Sequence, residues 1–295
     1  MTRSTYDVQR TGEGTREVSE DDGFGPDGLP RALVLTFDNL GEANELERGT
    51  WSAGAQLGRH PSVTVALPRL LDELDERELS ATFFVEAINC ELNPDAVLEI
   101  ARRGHELGMH GWRHEAWAEL SAEEERDALT RGMKAFATLG IDVAGFRPPG
   151  GGLTPRSASL LREAGLRWCS PAGGGLGLRD GLVYVPFDWP FVDAYHLMSR
   201  FSPLRVSRGE AAEALEPGAL AQRLSAELDA LACNGGQQTL ILHPFLMVDE
   251  SWCAGARVVL GRIRRLADAG RLWVVPGGRF ADWLRGPTQS RVPDQ

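Results

Sequence analysis

Four cysteines are few for a chain of 295 residues, and none of Cys90, Cys169, Cys233 and Cys253 forms a C-x-x-C pair. That scarcity argues against a disulfide framework or a thiolate metal cluster and predicts reduced thiols. Long apolar runs are missing too: nothing approaches the ~18 residues a membrane span needs. The first residues are polar, with no apolar segment of the kind a secretory leader uses, so the chain reads as cytoplasmic. Basic clusters are absent as well. With a net charge of -11 and no Lys/Arg group beside an apolar stretch, the chain is expected to bind neither nucleic acid, whose phosphates demand a basic face, nor a membrane surface.

What is present is an ordinary globular composition, 42% hydrophobic and 25% charged, long enough to bury a full core. Residues 1–29 are acidic and glycine-rich with little apolar periodicity, and read as a flexible arm, either free or strapped over a neighbour or the pocket mouth. From residue 31 the texture changes. Short apolar runs at 32–37, 80–86, 105–110, 143–146, 166–170, 182–187, 239–243 and 271–275 suit buried strands. Helical patterns lie between them at 65–78, 94–104, 121–140, 154–165, 217–236 and 251–270, the third opening with a capping box, Ser121 and Glu124. This alternation implies a parallel sheet, and its repeats suggest one distorted (β/α) barrel of seven or eight units over 30–286, with a doubly wound open sheet as the alternative. Residues 287–295 read as a tail. The stretch 187–216 reads as an irregular loop over the active face.

Ends of parallel strands are where α/β proteins place catalytic groups. Asp38 and Asn39 end the first run, Glu86 the second and His110 the third. Arg147 and Asp188 follow later runs, and His243 ends another. His110-Gly-Trp-Arg-His114 spaces two imidazoles at i, i+4, which on a helical turn would share one face and one metal ion. The Asp38–Asn39 dipeptide is the natural source of a third ligand.

Taken in order, Thr36-Phe37-Asp38-Asn39, His110 to His114, Arg147-Pro148-Pro149-Gly150-Gly151, Asp188-Trp189 and Leu240-Ile241-Leu242-His243 resemble the motifs of the polysaccharide deacetylase (NodB-like) family across roughly 31–286. The resemblance implies a metal-dependent hydrolase of non-peptide amide bonds. Asp38 would be the general base, held by Arg147. His110, His114 and Asn39 would ligate one divalent ion, Zn²⁺ before Co²⁺, Ni²⁺ or Mn²⁺. His243 would be the general acid, oriented by Asp188, and a backbone N–H near Pro149 and Gly150 would face the oxyanion.

Two departures stand out. The family's second acid is Asn39 here, an amide oxygen without charge, for which Asp38, Glu42 or Glu86 could compensate. Gly150 replaces the family's aromatic, leaving Trp112, Trp117 or Trp189 to wall the pocket and stack on a sugar ring. Glu86 faces the site for substrate or metal contact. The expected substrate is a small-molecule or oligosaccharide amide, such as an N-acetylated amino sugar or a small acylamine. Ring-opening of a cyclic amide, as in allantoinase-like branches, and a non-catalytic sugar-binding relative are the alternatives. A homo-oligomer stays open.

Overall fold

The computed structural model describes residues 16–17, 23–25, 27–29 and 31–286. Most of the expected arm and all of the tail 287–295 lie outside the described residues. Among the described residues ten strands form one sheet: β1 (Arg16–Glu17), β2 (Arg31–Asp38), β3 (Thr82–Val85), β4 (Glu106–Met109), β5 (Gly145–Phe146), β6 (Trp168–Cys169), β7 (Gly177–Arg179), β8 (Leu182–Tyr184), β9 (Gly236–Leu242) and β10 (Trp273–Val275). The order is β1-β7-β8-β6-β5-β4-β3-β2, with β9 along β2 and β10 beside residues 32–34 of β2. All pairings are parallel except those of β7 with β1 and β8. Beyond β8 the chain returns beside β9, where Thr239 Oγ1 donates to the Pro186 carbonyl at 2.9 Å and Val192 bridges Ile241. That return curls the sheet into a distorted, nearly closed barrel rather than an open doubly wound sheet. Helices alternate with the strands, the longest being Ala122–Thr138, Pro217–Asn234 and Glu250–Asp268. No helix among the described residues is long and apolar enough to cross a membrane.

The two-residue period of a strand sorts each strand between two cores. On β2, Leu33, Leu35 and Phe37 join the cluster under the helices, whereas Ala32 and Val34 join Phe84, Trp168, Val183, Val185 and Val275 inside the barrel. The interior is tight: a Cβ on Gly108 would lie 2.6 Å from the Phe84 ring. The helix Gly277–Arg285 plugs the lower end, its first N–H groups donating to Thr82 Oγ1 and Glu106 Oε2, both at 2.8 Å.

Two expectations need correction. The described part of the arm is packed rather than free. Arg16–Glu17 pairs with β7, away from any pocket mouth residue, and Phe24 is buried against Phe280 and Trp283. The stretch 187–216 is not an irregular loop. It holds short helical segments at Trp189–Phe191, Asp193–Leu197, Ser199–Phe201 and Ser202–Ser207. Its fold is fixed by the buried Arg205 guanidinium, which donates to the carbonyls of Tyr195, Met198, Ala211 and Ala212. A fork of donors satisfies the backbone where no ladder can.

The helix Ala122–Thr138 carries the capping box the sequence predicts, and it also carries Glu125, wholly buried. That carboxylate accepts from Thr154 Oγ1 at 2.7 Å and Ser157 Oγ at 2.8 Å and pairs with Arg156, tethering the loop that follows β5. Glu125→Ala strands three polar partners and should cost about 3 kcal/mol or more. Urea unfolding measures this; a loss under about 1 kcal/mol would mean that water replaces the carboxylate.

Candidate active site

Alternation continues to the upper rim of the barrel. The interior line of β2 runs Ala32, Val34, Thr36, Asp38; those of the other strands end at Glu86, His110, Arg147, Ser170, Phe187 and His243. Asp38, His110, Arg147, Phe187 and His243 line one cavity of about 230 Å³, together with Asn39, Arg48, His114, Gly150, Trp189 and Arg200.

Arg147 is the most buried of the arginines that line the cavity. It is 1% exposed, and its Nη1 donates to Asp38 Oδ1 at 2.6 Å and Thr36 Oγ1 at 2.8 Å, while Nη2 donates to Ser170 Oγ at 2.9 Å. Its guanidinium lies between the Phe84 and Phe187 rings, 4.2 and 5.3 Å from their centroids. Burial pulls its pKa down and the Asp38 charge opposes that shift. The pair is therefore a rigid, dry support for a carboxylate facing the cavity.

Beside it, His110 Nδ1 donates to the Arg147 carbonyl at 2.9 Å, which leaves Nε2, 4.0 Å from Asp38 Oδ2, as the lone-pair nitrogen. His110 and His114 rings sit 5.0 Å apart at 76°. Their spacing is not set by a helical turn, as the i, i+4 pattern suggested. Residues 110–114 form a loop in which Gly111 has φ 71° and His114 φ 72°. Asn39 also turns into the left-handed region, at φ 61°, a conformation that Asn and His tolerate better than most residues.

Glu86 is wholly buried, accepting from Asn39 Nδ2 at 2.6 Å and the Leu40 N–H at 3.1 Å. A carboxylate oxygen of Glu86 and one nitrogen from each of His110 and His114 lie within 4.8 Å of one another. These residues fit a divalent ion. Two neutral imidazoles and a carboxylate are a hydrolytic zinc-type donor set, and the Asn39 amide is oriented by the same carboxylate. Burial pushes Glu86 up to about 8.

On the other side of the cavity, His243 Nδ1 donates to Asp193 Oδ1 at 2.5 Å, and the His243 backbone N–H donates to Asp193 Oδ2 at 2.9 Å. Trp252 Nε1 adds a donor to Asp193 Oδ2 at 3.1 Å. The expected partner, Asp188, is exposed and makes no such contact. The reason is parity: Phe187 takes the interior position, so Asp188 faces outward. Asp193 comes from the next short helix, a placement no periodicity of the sequence announces.

The aromatic lining of the cavity is Phe187, Trp189 and Phe201, with Phe187 set against Gly151. Trp112 does not contribute to it. Its ring is 5% exposed in the core beneath Arg131, and Trp117 is buried against Phe146. Pro148, Gly150 and Gly151 line the cavity, but Pro149 does not.

Burial holds His110 down to about 3, against an ordinary 6.5, and His114 well below that ordinary value. A depressed histidine contributes stability that is present above the unfolded pKa and lost as pH falls below it. Metal-free protein should therefore lose about 2 kcal/mol more than its His110→Gln variant between about pH 7.5 and 5. Urea titration of both at the two pH values measures the difference; equal losses would mean that His110 is solvated.

Comparison with known proteins bears on the same residues. The polysaccharide deacetylase family model matches residues 27–169. Chitin deacetylase 1 of Cryptococcus neoformans var. grubii is 30% identical over 146 residues, 48% of this chain and 29% of that protein. A peptidoglycan-N-acetylglucosamine deacetylase of Bacillus cereus is 32% identical over 108 residues, 37% of this chain and 49% of that one. The chain thus spans less than half the length of these curated relatives. A solved structure from Mycobacterium smegmatis, described as a candidate polysaccharide deacetylase, is 29% identical with a TM-score of 0.76, over 91% of this chain and 93% of the other. Fold, motif order and sequence likeness agree over the matched part: residues 27–169 are similar to the polysaccharide deacetylase family.

Proposed function

We propose that this protein is a metal-dependent N-deacylase that removes an acyl group, acetyl in the simplest case, from an amino sugar or a related small acylamine. The observation that carries the reading is the convergence on one cavity of a carboxylate held by a buried arginine, a Glu/His/His donor set and a histidine held by a second carboxylate. The named activities of the relatives, on chitin and on peptidoglycan N-acetylglucosamine, support the substrate class.

His110 and His114 would hold the ion, with Asn39 and Glu86 supplying oxygen. When bound, a divalent ion supplies a Lewis acid that acidifies water and polarises the acyl oxygen. Asp38 accepts a proton from the attacking water, and Arg147, donating to its Oδ1, keeps it aimed. As the C–N bond breaks, His243 delivers a proton from Nε2 to the leaving nitrogen. Asp193 accepts from Nδ1 and so fixes the ring orientation that leaves Nε2 facing the cavity. Phe187, Trp189 and Phe201 offer ring faces to the sugar and limit water access.

Chelator-treated protein should release no acetate from N-acetylated chitooligosaccharides, and Zn²⁺ should restore release with one ion bound per chain. His114→Ala should lose both the ion and turnover. Full activity in protein shown by elemental analysis to be metal-free would sink the reading.

The two aspartates separate cleanly. Asp193→Asn should lower kcat about 10²-fold or more, because a general acid without its orienting carboxylate loses both proton and aim. Asp188→Asn should stay close to wild type. The reverse ranking in steady-state kinetics would return the role to Asp188.

A further inference from the structure

The cavity carries more positive charge than deacylation of a neutral sugar requires. Three arginines line it, Arg48, Arg147 and Arg200, against a single carboxylate, Asp38. Arg147 and Asp38 neutralise each other at 2.6 Å. That leaves Arg48 and Arg200, neither of which has an acidic partner within 4.0 Å among the described residues. They enter from distant parts of the chain. Arg48 caps the short helix Ala43–Glu47 after β2, and Arg200 sits in the segment Ser199–Phe201, its guanidinium 5.1 Å from the Phe201 ring centroid.

Both residues are exposed at the edge of the cavity they line, and the pKa of Arg200 is lowered, by partial burial first and by the Arg48 charge second. This happens in a chain of net charge -11, where acidic side chains to pair with them are abundant. Elsewhere Arg103 meets Glu99, Asp72 and Asp75, while arginines such as Arg59 and Arg126 stand on open surface without an acid among the described residues; what sets Arg48 and Arg200 apart is that both line one cavity. Position 39 adds to the asymmetry, since an amide stands there in place of a carboxylate. Unneutralised guanidinium groups beside a catalytic cavity are suited to one kind of ligand, a planar or tetrahedral oxyanion taken in a bidentate grip.

We propose that Arg48 and Arg200 form an anion cradle that selects substrates bearing a carboxylate or phosphate close to the scissile amide. The inference rests on the deacylase reading of the same cavity and narrows it from neutral polysaccharide to small charged acylamines. A cavity of about 230 Å³ is in keeping with one small ring and its substituents rather than with a polymer groove.

Three probes test it on the metal-loaded protein: N-acetylglucosamine, which is neutral, N-acetylglucosamine 6-phosphate and N-acetylmuramic acid, which carries a carboxylate. Acetate release gives kcat/KM for each, and calorimetry gives binding. At least one charged sugar should exceed the neutral one by about tenfold or more, the worth of one charge-assisted contact. Which of the two leads identifies the anion as phosphate or carboxylate. The double variant Arg48→Gln, Arg200→Gln should bring that ratio to about one, mainly through KM of the charged sugar, and added salt should erode the ratio in the wild type. Equal kcat/KM for all three sugars, or a ratio the double variant leaves unchanged, overturns the cradle while the deacylase reading stands. If no sugar releases acetate, the deacylase reading fails and binding alone decides the cradle. Tighter binding of a charged sugar by wild type than by the double variant upholds it, and equal binding overturns it.

Discussion

A strand shows successive side chains to opposite faces, and in this barrel that period decides which residues can act. Below the rim, the inward positions must be apolar and tightly fitted, because they meet one another in the barrel centre. Val34, Phe84, Val183 and Trp168 satisfy that need. Two residues higher on the same lines, the demand changes. Thr36 donates to the Leu240 carbonyl and accepts from Arg147, and one step above it Asp38 meets the cavity. Each strand thus grades from apolar plug through hydrogen-bonded polar layer to functional group. The polar layer insulates the site from the plug, since any buried donor there must find a partner.

This constraint explains how far the sequence could be read. Short apolar runs located the strands within a few residues, the antiparallel β1 and β7 excepted, and the polar residues ending them in phase, Asp38, His110, Arg147 and His243, are the ones that meet. Asp188 failed because it was chosen by motif position and not by phase: Phe187 occupies the inward site. Had parity been applied, Asp188 would have been excluded, but Asp193 would still have been missed. Its place depends on the backbone of 187–216, which is set by Arg205 reaching four carbonyls. Such an arrangement is tertiary and leaves no periodic trace. Trp112 failed for a related reason, since an aromatic between two histidines looks like a site residue whether it faces a ligand or the core.

Charge is distributed here by depth. Arg147 at the bottom is compensated by Asp38, two hydroxyls and two aromatic faces, which is what allows a guanidinium 1% exposed to persist. Asn39 and Glu86 divide between them the work one carboxylate could do. The amide at 39 occupies the turn, and the carboxylate behind it accepts the amide's own N–H. With an amide at position 39 and the buried Glu86 carboxyl pushed up to about 8, neither group offsets Arg48 and Arg200 at the cavity. The neutral amide and the unpaired arginines are therefore parts of one electrostatic arrangement.

The last link is the loop that joins the two imidazoles. A helix would fix His110 and His114 by its own hydrogen bonds, but here the chain passes through left-handed conformations at Gly111 and His114, which persist only when the surroundings over-determine them. Those surroundings are identifiable. The Gly111 and Trp112 carbonyls accept from the Ala87 and Ile88 N–H groups at 3.1 and 3.0 Å. The Glu115 carboxylate takes the N–H groups of Trp112 and Arg113 at 3.0 and 2.9 Å. Between them Trp112 is sunk into the core, 5% exposed. The indole is thus the anchor of the histidine loop rather than a wall of the pocket. Its burial supplies the free energy that holds His114 in an uncommon backbone conformation, so that the second imidazole stands opposite the first without a helix to carry it.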